Sequence, residues 1–233
     1  MKRTLGLTLL LFATLFSCMR QEKPLPAELS RAESVMWEHP DSALSILRSM
    51  PQSSLSIGKN YATWALLLAQ ARDKVYGKRL PDSLNIPSSD KLVQDAMDYF
   101  EKEGDLKRMA QTYYYKGQLL KDQKKITEAM PFFLKSKEMM TKLDEPLFTY
   151  LICQSLGNMY RYQDLYEESL VQLKDAYQYA LRSGNGERIS YALSELGRTY
   201  VHKNEMDSAL FYFGKSLDNA QRLGNIELEA MAM

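Results

Sequence analysis

Covalent and metal chemistry needs nucleophiles, bases or ligands held close together, and this sequence is poor in them. It has two histidines, His39 and His202, and two cysteines, Cys18 and Cys153, all far apart along the chain. It contains no Cys-x-x-Cys, no His-Glu-x-x-His, no phosphate-binding glycine loop and no nucleophile elbow. The 30 basic and 29 acidic residues are spread over the chain, and runs such as Glu101-Lys102-Glu103 and Lys121 to Lys125 read as solvated helix ends. Met139-Met140 suits core filling better than metal binding. The expectation is a protein that is not an enzyme, with no cofactor and no metal. What remains is binding chemistry, and one cysteine whose setting is unusual.

That cysteine, Cys18, ends an apolar run. Met1-Lys2-Arg3 is a short positive start, and Leu5 to Phe16 is almost unbrokenly apolar. A dozen apolar residues suit a secretory signal and are too few to span a bilayer. Leu15-Phe16-Ser17-Cys18 resembles a bacterial lipobox, with leucine three before the cysteine and a small residue just before it. Phe16 is bulkier than the usual occupant. The resemblance implies that residues 1–17 are a lipoprotein signal peptide and that Cys18 carries acyl chains, of which more than one is needed for stable anchoring. An ordinary signal peptide with an incidental cysteine is the alternative. Residues 18–26, polar and proline-containing, read as a tether. The implied location is the cell envelope of a bacterium, lipid-anchored to a membrane and facing the periplasm or the exterior. Loss of Lys2 and Arg3 leaves 28 basic against 29 acidic residues, a net charge near −1. That balance offers nucleic acid no footprint. Cys153, in an apolar context, reads as a buried and inert thiol.

The elements that would position a binding surface repeat every forty residues. Gly117, Gly157 and Gly197 align. Three columns later stand Leu120, Tyr160 and Tyr200. Ala129, Ser169 and Ala209 follow, then Phe133, Leu173 and Phe213, then Ser136, Ala176 and Ser216. Gly104-Asp105, Asp144-Glu145, Gly184-Asn185 and Gly224-Asn225 mark turns at the same period. Each unit reads as two helices. In the second helix of one unit, Met206, Ala209, Leu210, Phe213, Leu217 and Ala220 keep the helical spacing. Small columns let paired helices approach, and the Phe or Leu column is expected to fill the gap between neighbouring pairs. One pair cannot bury its own apolar face; stacked pairs can.

With Lys116-Gly117, Leu156-Gly157 and Leu196-Gly197 in the first helices and the small and Phe columns in the second, the chain resembles the tetratricopeptide repeat family. More narrowly it resembles that family's bacterial lipoproteins and membrane-bound regulators, through "HPDSAL" and "YYYKG". The resemblance is clear over residues 106–223 and looser back to residue 27. It implies an all-α fold, a right-handed superhelical solenoid of antiparallel helix pairs. The chain departs from the family in three ways. Its period exceeds the usual length of about 34, Tyr113, Cys153 and Leu193 stand at the tryptophan-like position, and the closing proline is missing.

Residues 27–104 read as irregular helical repeats and 105–233 as regular ones, cut within a further unit. Residues 28–50 predict a helix, a break at His39-Pro40-Asp41 and a second helix capped by Asp41. Asn60 to Tyr76 predicts a longer helix, and Gly77 to Ser89 a loop. Pro131 falls inside a predicted helix, where it would kink the rod unless the helix starts later. Glu229 to Met233 resembles the opening of another first helix, so the chain reads as a fragment of a longer one.

The resemblance also implies a concave groove lined by first helices. Carried over column by column, the groove positions are Tyr114, Gln118 and Lys121, then Gln154, Asn158 and Arg161, then Ser194, Arg198 and His202. Lys121, Arg161 and Arg198 could together receive a carboxylate or an acidic peptide. The expected partner is a protein or peptide, with the membrane reached through the N-terminal lipid, and no nucleic acid bound by this segment. Two functions fit: a lipid-anchored scaffold, or the extracytoplasmic sensor of a membrane-bound transcriptional regulator. The regulator's membrane-spanning and helix-turn-helix segments would lie beyond residue 233.

Overall fold

The computed structural model describes residues 24–51, 55, 58–76 and 89–232. Cys18, the lipobox-like segment and residues 77–88 of the loop expected over 77–89 lie outside the described residues, and Ser89 is already helical. Those described hold eleven α-helices and no strand. Four precede the regular repeats: α1 (Ala27–Val35), α2 (Pro40–Ser49), α3 (Lys59–Tyr76) and α4 (Ser89–Glu103). Three repeat pairs follow, α5 (Leu106–Asp122) with α6 (Ile126–Lys142), α7 (Pro146–Tyr162) with α8 (Tyr166–Ser183), and α9 (Gly186–His202) with α10 (Met206–Leu223). α11 (Ile226–Ala232) opens another first helix. Each helix packs on the next in chain order, which is the expected all-α solenoid.

One backbone device is repeated at every turn of the regular region. Lys124, Asp164 and Asn204 join first to second helices, and Gly104, Asp144, Gly184 and Gly224 join units; their φ values are all positive, from 55° to 74°. The residue after each within-unit turn donates its N–H to the carbonyl five back, Lys125 to Leu120 at 2.9 Å, Leu165 to Tyr160 at 3.0 Å and Glu205 to Tyr200 at 2.9 Å. This left-handed closure satisfies carbonyls the ending helix leaves open. The first helices then start in two ways. Asp105, Asn185 and Asn225 accept from the backbone N–H three residues on, a side-chain cap. Pro146 opens α7, where its missing N–H costs nothing.

Glycine in the first helix sets the close approach within a pair. A Cβ at Gly117, Gly157 or Gly197 would come within 3.0, 2.6 or 2.8 Å of Phe133, Leu173 or Phe213, on the second helix of the same unit. The Phe/Leu column therefore closes inside each pair rather than between pairs, because the glycine leaves the hollow that a large side chain can enter. The small column adds hydrogen bonds. Ser136 Oγ donates to the Ala110 carbonyl at 2.6 Å, and Ser216 Oγ to the Ser190 carbonyl at 2.9 Å.

Three expectations need correction. Pro40 is the first residue of α2 with His39 before it, and Asp41 makes no cap; proline's fixed φ suits a helix start. Pro131 does not delay α6, which runs from Ile126 with the proline inside it. In α10, Ala209 and Ala220 are buried, but Met206 and Leu210 are 50% and 69% exposed. The same column in α8 holds Leu170, which is buried against Leu196 of the next first helix. Cys153 is buried as expected, and burial pushes its thiol up to about 11.

The core is uneven. One apolar cluster runs continuously from Leu29 to Met159, so α1 to α4 share it with the first regular pair. Trp64 ties α3 to α2 through its Nε1–H on the Leu47 carbonyl at 2.9 Å. From the other side of α7 onward the cluster gives way to two small ones, around Cys153 with Ala176 and around Leu173 with Leu196.

Candidate functional site

First helices of successive units pack on each other, α3 on α5, α7 on α9 and α9 on α11, whereas the second helices α6 and α8 are linked by long side chains, Lys137 to Asp175. A stack that touches along one edge and opens along the other must curve, with α3, α5, α7 and α9 on its inner side. That inner side is the candidate binding face.

The nine residues expected there divide sharply. Tyr114 is 5% exposed, packed edge-on against Tyr115, Phe133 and Phe148. Its hydroxyl accepts from Gln118 Nε2 at 2.8 Å, and burial pushes its pKa up. Ser194 is 2% exposed, its hydroxyl 2.9 Å from that of Ser216 on α10. Both side chains are core. Gln118 and Lys121, half-buried, are bonded to each other. Arg161 is engaged with Glu195, 2.7 Å from its Oε2, and its guanidinium also reaches the Glu195 carbonyl and Thr199 Oγ1 at 3.4 Å. Arg198 meets the other Glu195 oxygen at 2.7 Å. One buried glutamate therefore holds two of the three expected anion-binding cations. Burial of an unpaired charge is costly, and Glu195 is the carboxylate within reach. His202 is exposed and stacks on Tyr166, ring centroids 6.1 Å apart. Gln154 and Asn158 are half-buried, Gln154 bonded to Tyr150.

The structure brings other groups together. Trp37, just after α1, lies against the inner face, with its indole edge-on to Phe148, centroids 5.6 Å apart. Lys74 Nζ sits 3.4 Å from the centre of that indole, and the Arg188 guanidinium carbon 5.8 Å from it. Arg108, Phe148 and Arg188 occupy one column of the repeat; Arg108 is paired with Glu33 of α1 at 2.7 Å. The N-terminal segment thus runs across the first turns of α5, α7 and α9. Asp73 lies close by, its carboxyl pushed up by burial while Lys121 opposes that shift. A second hollow of about 500 Å³ opens at the far ends of α5 and α7, lined by Lys121, Lys124, Ile126, Asn158, Met159 and Tyr162.

Sequence columns alone miss Trp37, Lys74 and Glu195. Arg188 carried a signal, since it shares the forty-residue column of Arg108, six residues ahead of the first chosen positions. No grouping of histidine, cysteine and carboxylates among the described residues could hold a metal. No described helix is long and apolar enough to cross a membrane. The arrangement offers cations, amides and aromatic faces, a chemistry of recognition.

No protein-family model matches the sequence, and no curated protein matches it. Solved structures do. A signal transduction ATPase with numerous domains carrying a tetratricopeptide repeat sensor, from Pyrococcus horikoshii, superposes with a TM-score of 0.69 at 17% identity, over 88% of this chain and 31% of that one. The apo form of RapI gives 0.69 at 17% identity over 88% and 73%. A Rap protein complexed with Competence and Sporulation Factor gives 0.69 at 13% identity over 93% and 60%. The chain spans about a third of the length of the ATPase. At these identities the likeness is one of fold, a tetratricopeptide-like helical repeat.

Proposed function

We propose that this chain is a non-catalytic scaffold that binds a protein or peptide partner on its concave face, held at a bacterial membrane by lipid on Cys18. The observation that carries the binding reading is the inner face of α3 to α9. It presents cations, amides and an aromatic side chain rather than a reactive cluster. The similar Rap fold, complexed with Competence and Sporulation Factor, supports a fold of this kind taking a partner. Selection of peptides from a displayed random library against the full chain tests this reading. Binders should emerge, and Gln154→Trp, which narrows the inner face, should weaken them at least tenfold. Binders indifferent to that change, or none at all, would rule the groove out.

The anchor rests on the lipobox resemblance and an apolar signal-length run. Cys18→Ser should move the protein from the detergent phase to the aqueous phase. Unchanged partition overturns lipidation.

A second reading is the sensor part of a membrane-bound regulator. The sensor role of the tetratricopeptide repeats in the Pyrococcus ATPase favours it. Its test is the reading frame beyond residue 233. An apolar stretch of about 20 residues followed by a basic helix-turn-helix supports the regulator, and a stop after one or two more repeats supports the scaffold.

A further inference from the structure

Most of the cations near the inner face have an acidic partner: Arg108 has Glu33, and Arg161 and Arg198 share Glu195. Lys74 and Arg188 have no ion pair among the described residues, yet they converge on one indole from α3 and α9. Asp73 is the acidic group that acts on Lys74, and Arg188 opposes it. The neighbouring acid of the N-terminal segment, Glu33, is already taken by Arg108. Phe148 brings no charge from α7.

We propose that Lys74 and Arg188, with Trp37 as their floor, form a seat for one oxyanion, carboxylate or phosphate, of the ligand that occupies the concave face. This rests on the groove reading above. A guanidinium fork beside an ammonium matches two oxygens of one such group. The quadrupole of the indole attracts both cations, at 3.4 Å and 5.8 Å from its centre. Burial, aided by Arg188, pushes Lys74 down to about 8. An anion in the seat would favour its charged form, so binding should weaken as pH rises past 8.

The chain has two tryptophans, so the Trp37 indole N–H can be followed by NMR in the full chain and assigned with Trp37→Phe. Acetate, inorganic phosphate and chloride are titrated at constant ionic strength. Acetate or phosphate should shift the Trp37 signal saturably and chloride should not; the tighter of the two identifies the group. Affinity should fall at least tenfold in Lys74→Met and in Arg188→Met, and severalfold between pH 7 and pH 9 in the unaltered chain. No saturable shift, or affinity unchanged in both variants, overturns the seat. Library-selected peptides separate the two readings. Peptides that bind the groove but ignore both variants leave the groove and remove the seat. Anions that bind where no peptide does leave the seat and remove the groove.

Discussion

The junction of α5–α6 with α7–α8 and the junction of α7–α8 with α9–α10 share a backbone and differ in filling. At the first, Tyr114, Tyr115, Phe133 and Phe148 lock together as rings, and the cluster extends without a break to Leu29. At the second, Arg161 and Arg198 grip Glu195, Ser169 faces Thr199 at 3.3 Å, and apolar contact shrinks to small clusters. The aromatic junction is held by area, which is non-directional and tolerant of small slides. The polar one is held by geometry and is penalised when a partner is lost. A repeat period fixes where helices go; it does not fix what holds them.

Three pairs of changes would sharpen or break that contrast. Phe133→Ala should cost about 3–5 kcal/mol, because the ring is 0% exposed. Phe213→Ala, in the same column but half-buried, should cost well under half as much. Equal losses in urea midpoint would mean that the two regions are not differently packed. Glu195→Leu should cost about 3 kcal/mol by stranding Arg161, whereas Arg161→Leu with Glu195→Leu together should recover most of it. A double variant as unstable as the single would deny that the pair is the fastener. Gly157→Ala should cost about 1–3 kcal/mol by overpacking, since its Cβ would meet the branch of Leu173 at 2.6 Å. Gly117→Ala, facing a ring at 3.0 Å, should cost less. Reversal of that order would show that the aromatic junction is the more rigid one.

The smallest effect is one of pH. Lys74 has a folded pKa of about 8, below its ordinary 10.5. Below pH 8 both folded and unfolded chains carry the proton, and the full cost of holding it is present. Between 8 and 10.5 the unfolded chain binds more protons, so this group's contribution to stability rises with pH. The stability difference between the unaltered chain and Lys74→Met should therefore shift in favour of the unaltered chain as pH goes from 7.5 to 9.5. A difference flat in pH would place Lys74 in water, outside the seat.

Much of the fold was legible because its restraints are local and repeated. Gly117, Gly157 and Gly197 announce close helix pairs, and Gly104, Asp144, Gly184 and Gly224 announce the turns between units. The site was legible only in part. Tyr114, Gln154 and Ser194 share a column, yet the rings around Tyr114 bury it and Ser216 claims Ser194, so one column does not mean one environment. Lys121, Arg161 and Arg198 look alike as charges until Glu195 takes two of them; helical spacing points to Arg198, three residues on, but not to Arg161 on α7. Trp37 and Lys74 come from the part of the chain that has no period, and only folding brings them to Arg188. The Phe column was read one gap too far out because spacing gives contact order along a helix and not which neighbour fills the hollow above a glycine.

The left-handed residue that recurs at each turn has an architectural effect of its own. With a left-handed residue at every corner, that residue carries no information about where along the stack it lies. A forty-residue block such as residues 144–183 could be copied or removed without redesigning a single corner. The molecule can lengthen or shorten by whole divisions, as a ruler does, while the identity of each division is written on the faces of its helices.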